Sequence, residues 1–364
     1  MKMKVGILTF HRAYNYGAVL QCYALQQFCL AEGAHVCVIN YKQNWIDSCF
    51  KVFSWQLFSS IVFKPRRVYG YLKTLSYRSH VMPIRKKFFT SFVCNNINVT
   101  SVVEKFSDIP QNFDLYIIGS DQLWAKQCLG NRFDSVYLGC FSHSKESKVI
   151  GYAISTNLVS IDDLQEKQLL EDSLDNFDAI SFREKTIVDH IAKISGRKVP
   201  MVCVDPTLLL AANDWDNLIN QSWESKNYVA VYQVRGNMQQ QKFVLDTAYR
   251  VSKQIGNDCE IIDLSSMNYS VEDFVSIIKY ASFVVTSSFH ATVFSIIFKT
   301  SFKAVLLDDG LDERYVNLID SLRLSDVTCH VGEAVSYTYT DYTNVDEYLT
   351  KLKQPSANFI KTFL

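Results

Sequence analysis

Short apolar runs of strand length alternate with longer helical stretches along this chain, and that alternation constrains the fold more than any other feature. Val5–Phe10 is one such run, and His35–Tyr41 is the next. Between them the spacing predicts a helix over Ala18–Glu32 that ends at Gly33. Continuous apolar runs are typical of parallel strands covered on both faces. The opening therefore predicts the start of a doubly wound α/β sheet.

The same alternation continues along the rest of the chain. Further strands are predicted over Asp114–Ile118, Lys148–Ile154, Asp178–Phe182, Val199–Val204, Tyr228–Val234, Cys259–Leu264, Phe283–Val285 and Phe302–Leu307. Helices are predicted over Glu184–Ile194, Met238–Lys253, Val271–Tyr280 and Ala291–Phe298. At roughly 150 residues per domain, 364 residues suit two domains. We expect two Rossmann-like doubly wound α/β domains facing a cleft, over 1–207 and 208–364, with a last helix that can pack back on the N-terminal domain.

Composition and charge exclude several classes of protein. Lys and Arg number 37 and Asp and Glu number 37, so the net charge is zero, which excludes a globally basic nucleic-acid coat. Hydrophobic residues make up 48% of the chain, which excludes intrinsic disorder. The apolar stretch Ala281–Phe298 contains His290 and six Ser or Thr residues. It is therefore expected to form a strand, a polar turn and a helix rather than a membrane span.

The ten cysteines lie far apart and form no C-x-x-C pair. This spacing gives no support to a zinc, iron–sulfur or thioredoxin-type site. Free, mostly buried thiols in a reducing compartment are expected instead. The apolar run at the N-terminus is too short for a signal peptide, because His11 and Arg12 end it. We expect a cytoplasmic protein.

A basic, aromatic segment without acidic residues interrupts the first half, within an insertion expected at about 45–107. Ser48–Val103 contains neither Asp nor Glu. Its basic residues are Lys51, Lys64, Arg66, Arg67, Lys73, Arg78, Arg85, Lys86 and Lys87, and its aromatic residues include Phe53, Trp55, Phe58, Phe63, Tyr69, Tyr71, Tyr77, Phe88 and Phe89. Amphipathic helices of this composition suit an anionic membrane surface, and single-stranded nucleic acid is an alternative partner that we do not expect. The structural alternative is a helical insertion that packs its rings on the core.

His290 is the histidine most suggestive of function. It lies in the first turn of a predicted helix, directly after a strand and after Ser287 and Ser288. Helix N-termini present unpaired N–H groups and a partial positive charge, so they attract phosphate and carboxylate. A histidine there can bind an anion or transfer a proton. The alternative is a capping turn with an incidental histidine.

Polar residues follow other predicted strands in the same way. Gly119-Ser120-Asp121-Gln122 comes after an apolar strand, and Asp121 can serve as a general base or bind a hydroxyl. The alternative for this turn is a helix N-cap, because Ser and Asp are preferred there. All these residues fall at carboxyl ends of strands, where open α/β sheets bind ligands.

Three arginines are candidates for binding an anion. Arg183 and Arg235 each follow a strand, and a guanidinium binds carboxylate or phosphate through two hydrogen bonds. The alternative for Arg183 is a surface ion pair with Glu184 or Asp178. Arg314 lies in a predicted helix among several acids, which favours ion pairing there; the acids are Asp308, Asp309, Asp312 and Glu313.

The order and spacing of several motifs resemble the polysaccharide pyruvyl transferase family from about Met3 to Arg323. The motifs are Gly6-Ile7-Leu8-Thr9, Asn15-Tyr16-Gly17-Ala18-Val19-Leu20-Gln21, Gly119-Ser120-Asp121-Gln122-Leu123-Trp124, Tyr152-Ala153-Ile154-Ser155, Ser181-Phe182-Arg183-Glu184-Lys185-Thr186, Asp205-Pro206-Thr207-Leu208-Leu209 and Ser287-Ser288-Phe289-His290-Ala291-Thr292. The resemblance implies a two-domain fold like the GT-B glycosyltransferases, with the acceptor on the N-terminal side and the donor on the C-terminal side.

The resemblance also implies a reaction. The enolpyruvyl unit of phosphoenolpyruvate moves onto a sugar of a surface polysaccharide or its lipid-linked precursor, giving a pyruvate ketal and phosphate. The expected partners are phosphoenolpyruvate, a sugar acceptor that can be polyprenyl-linked, and an anionic membrane surface reached through about 48–103 at the inner face of the cell membrane. No metal and no cofactor are expected, since phosphoenolpyruvate is a co-substrate.

Specific residues take roles in that expectation. We expect His290 to be the general acid and Asp121 the base. The expected donor-binding residues are Arg183, Arg235, Ser287, Ser288 and Arg314, and the expected acceptor-binding residues are Asn15, Tyr16, Gly17, Ser120 and Gln122.

The chain departs from the family pattern at two positions. Better-characterised members have Arg-Leu-His where this chain has Ser288-Phe289-His290, so the role of that arginine passes to Arg235 or Arg314 or is absent. Ala125 stands where an Asn is common. Two alternative functions therefore stay open: a GT-B glycosyltransferase that uses a nucleotide sugar, and a non-catalytic glycan-assembly protein.

Overall fold

The computed structural model describes residues 2–52, 68–156, 164–195, 200–266 and 268–364. Contacts divide the chain into two compact units. Unit 1 comprises Met1–Phe182, Ile187–Met201 and Phe363–Leu364, and unit 2 comprises Arg183–Thr186 and Val202–Thr362. The short segment Arg183–Thr186 thus belongs with the second half of the chain, although it directly follows a strand of the first.

Unit 1 is built on a parallel sheet. Its strands are β1 (Lys4–Leu8), β2 (His35–Val38), β3 (Leu115–Asp121), β4 (Lys148–Ile154) and β5 (Ala179–Phe182), with the two-residue β6 (Met201–Val202) at one edge. The order is β2-β1-β3-β4-β5-β6, and β1 to β5 pair in parallel. Most side chains of β1, β3 and β4 are buried, as expected for parallel strands covered on both faces.

Five helices accompany this sheet in the described part of the chain: α1 (Tyr16–Ala31), α2 (Asn44–Cys49), α3 (Val68–Asn96), α4 (Leu164–Leu174) and α5 (Lys185–Ser195). Gly33 lies one residue beyond the cap of α1, at a φ of +89° that disfavours side chains other than glycine. Its N–H donates to Leu30 O at 3.0 Å, and the N–H of Ala34 donates to Cys29 O at 3.1 Å. These two bonds form a Schellman motif, so the predicted helix end is confirmed.

The basic, aromatic segment is partly described. Residues 53–67 lie outside the described residues, and this range includes Phe53, Trp55, Phe58 and Phe63. Of the rings that can be described, Phe89 on α3 is 1% exposed, and it packs against Tyr14 and Tyr16 with ring centroids 5.7 and 5.2 Å apart. Tyr77 on the same helix is 52% exposed. Part of the aromatic content is therefore core, as the structural alternative predicts.

Unit 2 is built on a second parallel sheet. Its strands are β7 (Tyr228–Tyr232), β8 (Glu260–Asp263), β9 (Phe283–Thr286), β10 (Phe302–Leu306) and β11 (Thr328–His330), in the order β11-β10-β9-β7-β8. Every pairing is parallel. The helices described here are α6 (Met238–Ile255), α7 (Val271–Tyr280), α8 (Phe289–Phe298), α9 (Glu313–Ser321) and α10 (Val345–Lys361).

The stretch Ala281–Phe298 forms β9, a polar turn and α8, as predicted. Among the described residues, no helix is both long and apolar enough to cross a membrane. Val199, the first residue of the strand predicted over Val199–Val204, lies outside the described residues; of the other five only Met201 and Val202 pair, and both are exposed. Two parallel sheets flanked by helices confirm the predicted class, α/β with two Rossmann-like domains.

Candidate functional site

The carboxyl edge of the unit 2 sheet has a topological switch point. The neighbours β7 and β9 connect in opposite directions along the sheet, because β7 is followed by β8 on one side and β9 by β10 and β11 on the other. Ligands of open α/β sheets bind outside the carboxyl ends of strands at such a point. Arg235 follows β7, and the turn from Ser287 to His290 follows β9. The fold thus brings these predicted residues to the expected edge.

His290 is the second residue of α8, so its predicted place in a first helical turn is confirmed. The helix begins after Ser288, whose side chain makes no capping hydrogen bond. Nε2 of His290 lies 3.6 Å from Oδ2 of Asp205, and the His290 side chain is 13% exposed. The imidazole therefore faces a carboxylate through one nitrogen, which leaves Nδ1 as the nitrogen available to a ligand.

Asp205 lies in one of the family motifs but is not among the predicted site residues. It is 1% exposed and lies beside Arg183, with Nη2 of the arginine 2.8 Å from Oδ2 of the aspartate. The other oxygen accepts hydrogen bonds from the backbone N–H of Thr207 at 2.9 Å and from its hydroxyl at 2.6 Å. Burial opposes ionisation, but Arg183, His290 and Thr207 together hold the pKa of Asp205 well below its usual range. The carboxylate is therefore ionised at neutral pH.

Arg183 is buried rather than exposed at a surface. Its side chain is 4% exposed, and its guanidinium lies over the ring of Phe289, 5.2 Å from the centroid. In this arrangement the charge of Arg183 faces Asp205. Asp178, one of its two predicted ion-pair partners, instead pairs with Lys148 at 2.9 Å. Contact of Arg183 with a donor stays a prediction.

The other predicted donor residues are held differently. Arg235 forms ion pairs with Asp309 and Asp312, so its charge is already balanced by carboxylates. Arg314 lies in the first turn of α9 and is partly buried. Ser287 and Ser288 are buried in the turn before α8. Since Arg183 and Arg235 are both paired with carboxylates, the feature of this edge best able to attract an anion is the N-terminus of α8.

Unit 1 has a switch point of the same kind between β1 and β3. A buried polar cluster spans it. The hydroxyl of Thr9 donates to Ser120 O at 3.0 Å, the side-chain amide of Gln21 donates to Thr9 Oγ1 at 2.7 Å, and the N–H of Ser120 donates to Gln21 Oε1 at 3.2 Å. These bonds hold the end of β3 and the residue after β1 against α1.

The expected acceptor-binding residues lie around this switch point. Asn15 caps α1, because its side chain accepts a hydrogen bond from the N–H of Ala18 at 3.2 Å. Tyr16 and Gly17 are buried in the first turn of that helix. Ser120 is fully buried, and its hydroxyl donates to Ala153 O at 2.7 Å. In this arrangement these residues hold the local backbone, and their contact with an acceptor stays a prediction.

Asp121 ends β3 and is partly exposed, unlike Ser120. Its φ of +84° lies in the left-handed region, and residues held in such conformations cluster at functional sites. Its Oδ1 accepts the N–H of Gln122 at 2.8 Å. Its backbone oxygen accepts hydrogen bonds from Leu123 and Ser155, both within 2.9 Å. The carboxylate is thus oriented at the carboxyl edge of the sheet, where the predicted base belongs.

A family comparison decides the identity of the chain at the family level. Residues 15–306, most of the chain, match the sequence model described as "Polysaccharide pyruvyl transferase". The chain belongs to this family. The match includes the end of β3 and the turn before α8. It also includes Arg183 and His290 with the buried Asp205 that both of them face. A polysaccharide pyruvyl transferase family member is a transferase that acts in polysaccharide modification, which confirms the coarser part of the expected function.

Solved structures resemble this pyruvyl transferase family member only distantly. A UDP-GlcNAc 2-epimerase from Methanocaldococcus jannaschii is 8% identical with a TM-score of 0.48, covering 100% of this chain and 99% of its own. A putative UDP-N-acetylglucosamine 2-epimerase from Listeria monocytogenes is 10% identical with a TM-score of 0.47, covering 99% and 95%. The glycosyltransferase SnogD from Streptomyces nogalater is 9% identical with a TM-score of 0.41, covering 100% of both chains. A comparison with curated proteins finds no match.

Proposed function

We propose that this protein transfers the enolpyruvyl unit of phosphoenolpyruvate to a sugar of a surface polysaccharide or its lipid-linked precursor, and releases phosphate. The observation that carries the proposal is the buried pair of Asp205 and His290 at the N-terminus of α8. A carboxylate facing Nε2 of the imidazole leaves the other ring nitrogen to act on a ligand, and a histidine placed in this way can serve as a general acid.

Donor binding is proposed at the carboxyl edge of the unit 2 sheet. Phosphoenolpyruvate carries a phosphate and a carboxylate, and the first turn of α8 offers N–H groups and a partial positive charge for one of them. Ser287 and Ser288 precede that turn. Arg235 would contribute only if the donor displaced Asp309 or Asp312 from its guanidinium.

The proposed reaction balances as follows. One acceptor hydroxyl adds to C2 of phosphoenolpyruvate while a proton reaches the C3 methylene, which becomes a methyl group. The second hydroxyl then forms the other C–O bond to C2 as the bond between C2 and the phosphate oxygen breaks. The two hydroxyls lose two protons in all. One of these is balanced by the proton gained at C3, and the other leaves with phosphate. We assign delivery of the methyl proton to His290 through Nδ1 and removal of a hydroxyl proton to Asp121.

Substitution of His290 tests the assignment. Replacement by alanine, His290→Ala, should reduce phosphate release from phosphoenolpyruvate in the presence of a glycan acceptor by at least about 100-fold, since general acid catalysis contributes about that much or more. Phosphate and the new methyl resonance of the ketal would be measured together by NMR. His330→Ala is the matched control, because His330 also pairs with an aspartate, Asp308 at 3.0 Å, but is half-exposed on the edge strand β11. Equal activity of the two variants would remove His290 from the mechanism.

Thermal unfolding with different ligands separates the alternatives. Ligand-induced stabilisation against heat should be larger with phosphoenolpyruvate than with nucleotide sugars. Stabilisation by a nucleotide sugar alone, with sugar transfer, would identify a glycosyltransferase instead. Glycan binding without release of phosphate from any donor would identify a non-catalytic assembly protein.

A further inference from the structure

A cavity of about 770 Å³ lies within unit 1, and none of the residues given a role in the proposed reaction lines it. Its walls come from the loop after β1, the chain after β2, α2 with the residues that follow it, and one face of α3. Because β1 and β2 are parallel, the first two contributions lie at the carboxyl edge of the sheet, beside the switch point. The volume is that of a site for a small organic ligand.

The walls of this cavity are largely apolar and aromatic. Tyr14, Phe50 and Phe89 form one continuous ring surface, with Tyr14 centroids 4.8 Å from Phe50 and 5.7 Å from Phe89. Val93 and Met82 on α3 extend it. A ring surface of this kind favours contact with hydrocarbon.

Positively charged side chains outnumber negatively charged ones around the cavity. Arg12 is balanced by Asp47 through hydrogen bonds of 3.0 and 2.8 Å, and Asp47 is the only carboxylate among the described residues of the lining. Lys51 and Lys86 also line the cavity and are exposed, and among the described residues neither forms an ion pair with a carboxylate. Ser48–Val103 contains no acid that could balance them from the same segment. Two positive charges are therefore available at the edge of an apolar cavity.

We propose that this cavity binds an amphipathic anion, a hydrocarbon chain joined to a phosphate, with the chain against the aromatic wall and the phosphate at Lys51 and Lys86. Charge complementarity and the apolar wall together select this ligand class over a free sugar, over inorganic phosphate and over an uncharged lipid. The identification of such a ligand as the carrier end of the acceptor rests on the proposed function; the binding site itself does not.

Cys94 gives a direct readout of occupancy, because it lines the cavity and is exposed. Cys140 is also exposed, lies outside the lining and serves as an internal reference. Alkylation of both thiols would be followed by mass spectrometry of the full chain after digestion, with farnesyl phosphate as the probe. Farnesyl phosphate should slow alkylation of Cys94 at least fivefold relative to Cys140, whereas farnesol, inorganic phosphate and a sugar phosphate should each have a smaller effect.

Variants on α3 identify the groups responsible. Lys86→Ala should weaken protection of Cys94 about threefold to fivefold, as loss of one exposed charge pair would, while Lys87→Ala on the same helix but outside the lining should leave it unchanged. Val93→Trp fills the cavity and should abolish protection, and Ser91→Trp, outside the lining, should not. Unfolding midpoints would show that each variant is folded.

An unchanged rate at Cys94 with farnesyl phosphate would overturn the inference, and so would equal protection by a sugar phosphate, which would assign the cavity to a glycan. Because none of these measurements uses phosphoenolpyruvate, protection of Cys94 without any pyruvyl transfer would leave the site standing and reject the proposed function. Pyruvyl transfer to a soluble acceptor without protection of Cys94 would leave the proposed function standing and reject the binding site.

Discussion

At the scale of single residues, His290 lies 3.6 Å from a carboxylate that also forms a buried ion pair with Arg183. Sequence reasoning placed His290 in the first turn of a helix and Arg183 after a strand, and both placements are confirmed. It did not join them through Asp205. The three residues are far apart along the chain, so their contact is a property of the tertiary fold. The available signal was an aspartate between an apolar run and Pro206.

Removal of the Asp205 charge should cost stability. Asp205→Asn leaves the Arg183 guanidinium buried without its carboxylate, and breaking a buried pair in this way costs about 3–5 kcal/mol of unfolding free energy. Asp178→Asn is the control, since the pair between Asp178 and Lys148 is partly exposed and should contribute less than about 1 kcal/mol. Urea unfolding measures the loss of unfolding free energy in both variants. Equal losses would show that the buried pair contributes no more to stability than the partly exposed pair.

The difference in unfolding free energy between the native protein and Asp205→Asn depends on pH, and its direction follows from the lowered pKa of Asp205. The pKa of Asp205 is lower in the folded protein than in the unfolded chain, where it is about 3.9, so the pair stabilises the fold fully above that value. The stabilisation is lost as the pH falls from there toward the folded pKa. The difference in unfolding free energy between the native protein and Asp205→Asn should therefore be constant from pH 7 to 5 and shrink below about pH 4. A difference that stays constant down to pH 3 would contradict the assigned ionisation.

At the scale of secondary-structure elements, apolar periodicity located the strands and helices well and their ends less well. The predicted strand over Lys148–Ile154 and helix over Val271–Tyr280 have the observed bounds. In the strand predicted over Val199–Val204, only two of the described residues form a strand. For the basic segment, composition allowed either a membrane surface or packing on the core, because the pattern of rings does not reveal which of them face the sheet. Phe89 on α3 is buried, so this ring packs on the core; the burial of one ring does not extend to the others.

Phe89 and Tyr77 provide a test of how α3 is held. Phe89→Ala removes a ring that is 1% exposed and packs on Tyr14 and Tyr16, so it should reduce the unfolding free energy by about 3–5 kcal/mol. Tyr77→Ala, at a ring that is 52% exposed, should change it by less than about 0.5 kcal/mol. Similar small effects of both would mean that α3 is held to unit 1 by other contacts.

At the scale of the whole molecule, each of the two parallel sheets has a switch point, and motifs that are scattered along the sequence lie near those two points. Several of these motifs lie at or just after the carboxyl end of a strand, with Asp121 at the edge of the unit 1 sheet and His290 at the edge of the unit 2 sheet. The class of fold was predictable because parallel strands are apolar along their whole length. The donor was less so, since the resemblance implies an arginine at the position of Ser288, and Arg235 is balanced by two aspartates.

A crystal structure of the protein with bound phosphoenolpyruvate, or with a stable analogue, tests the central claim most directly. The measurement is the distance from Nδ1 of His290 to the methylene carbon of the ligand. The account predicts a ligand at the N-terminus of α8, with its phosphate or carboxylate on the first-turn N–H groups and its methylene carbon roughly 3–4 Å from that nitrogen. A ligand bound elsewhere, or a nucleotide sugar occupying this turn while phosphoenolpyruvate does not bind, would contradict it.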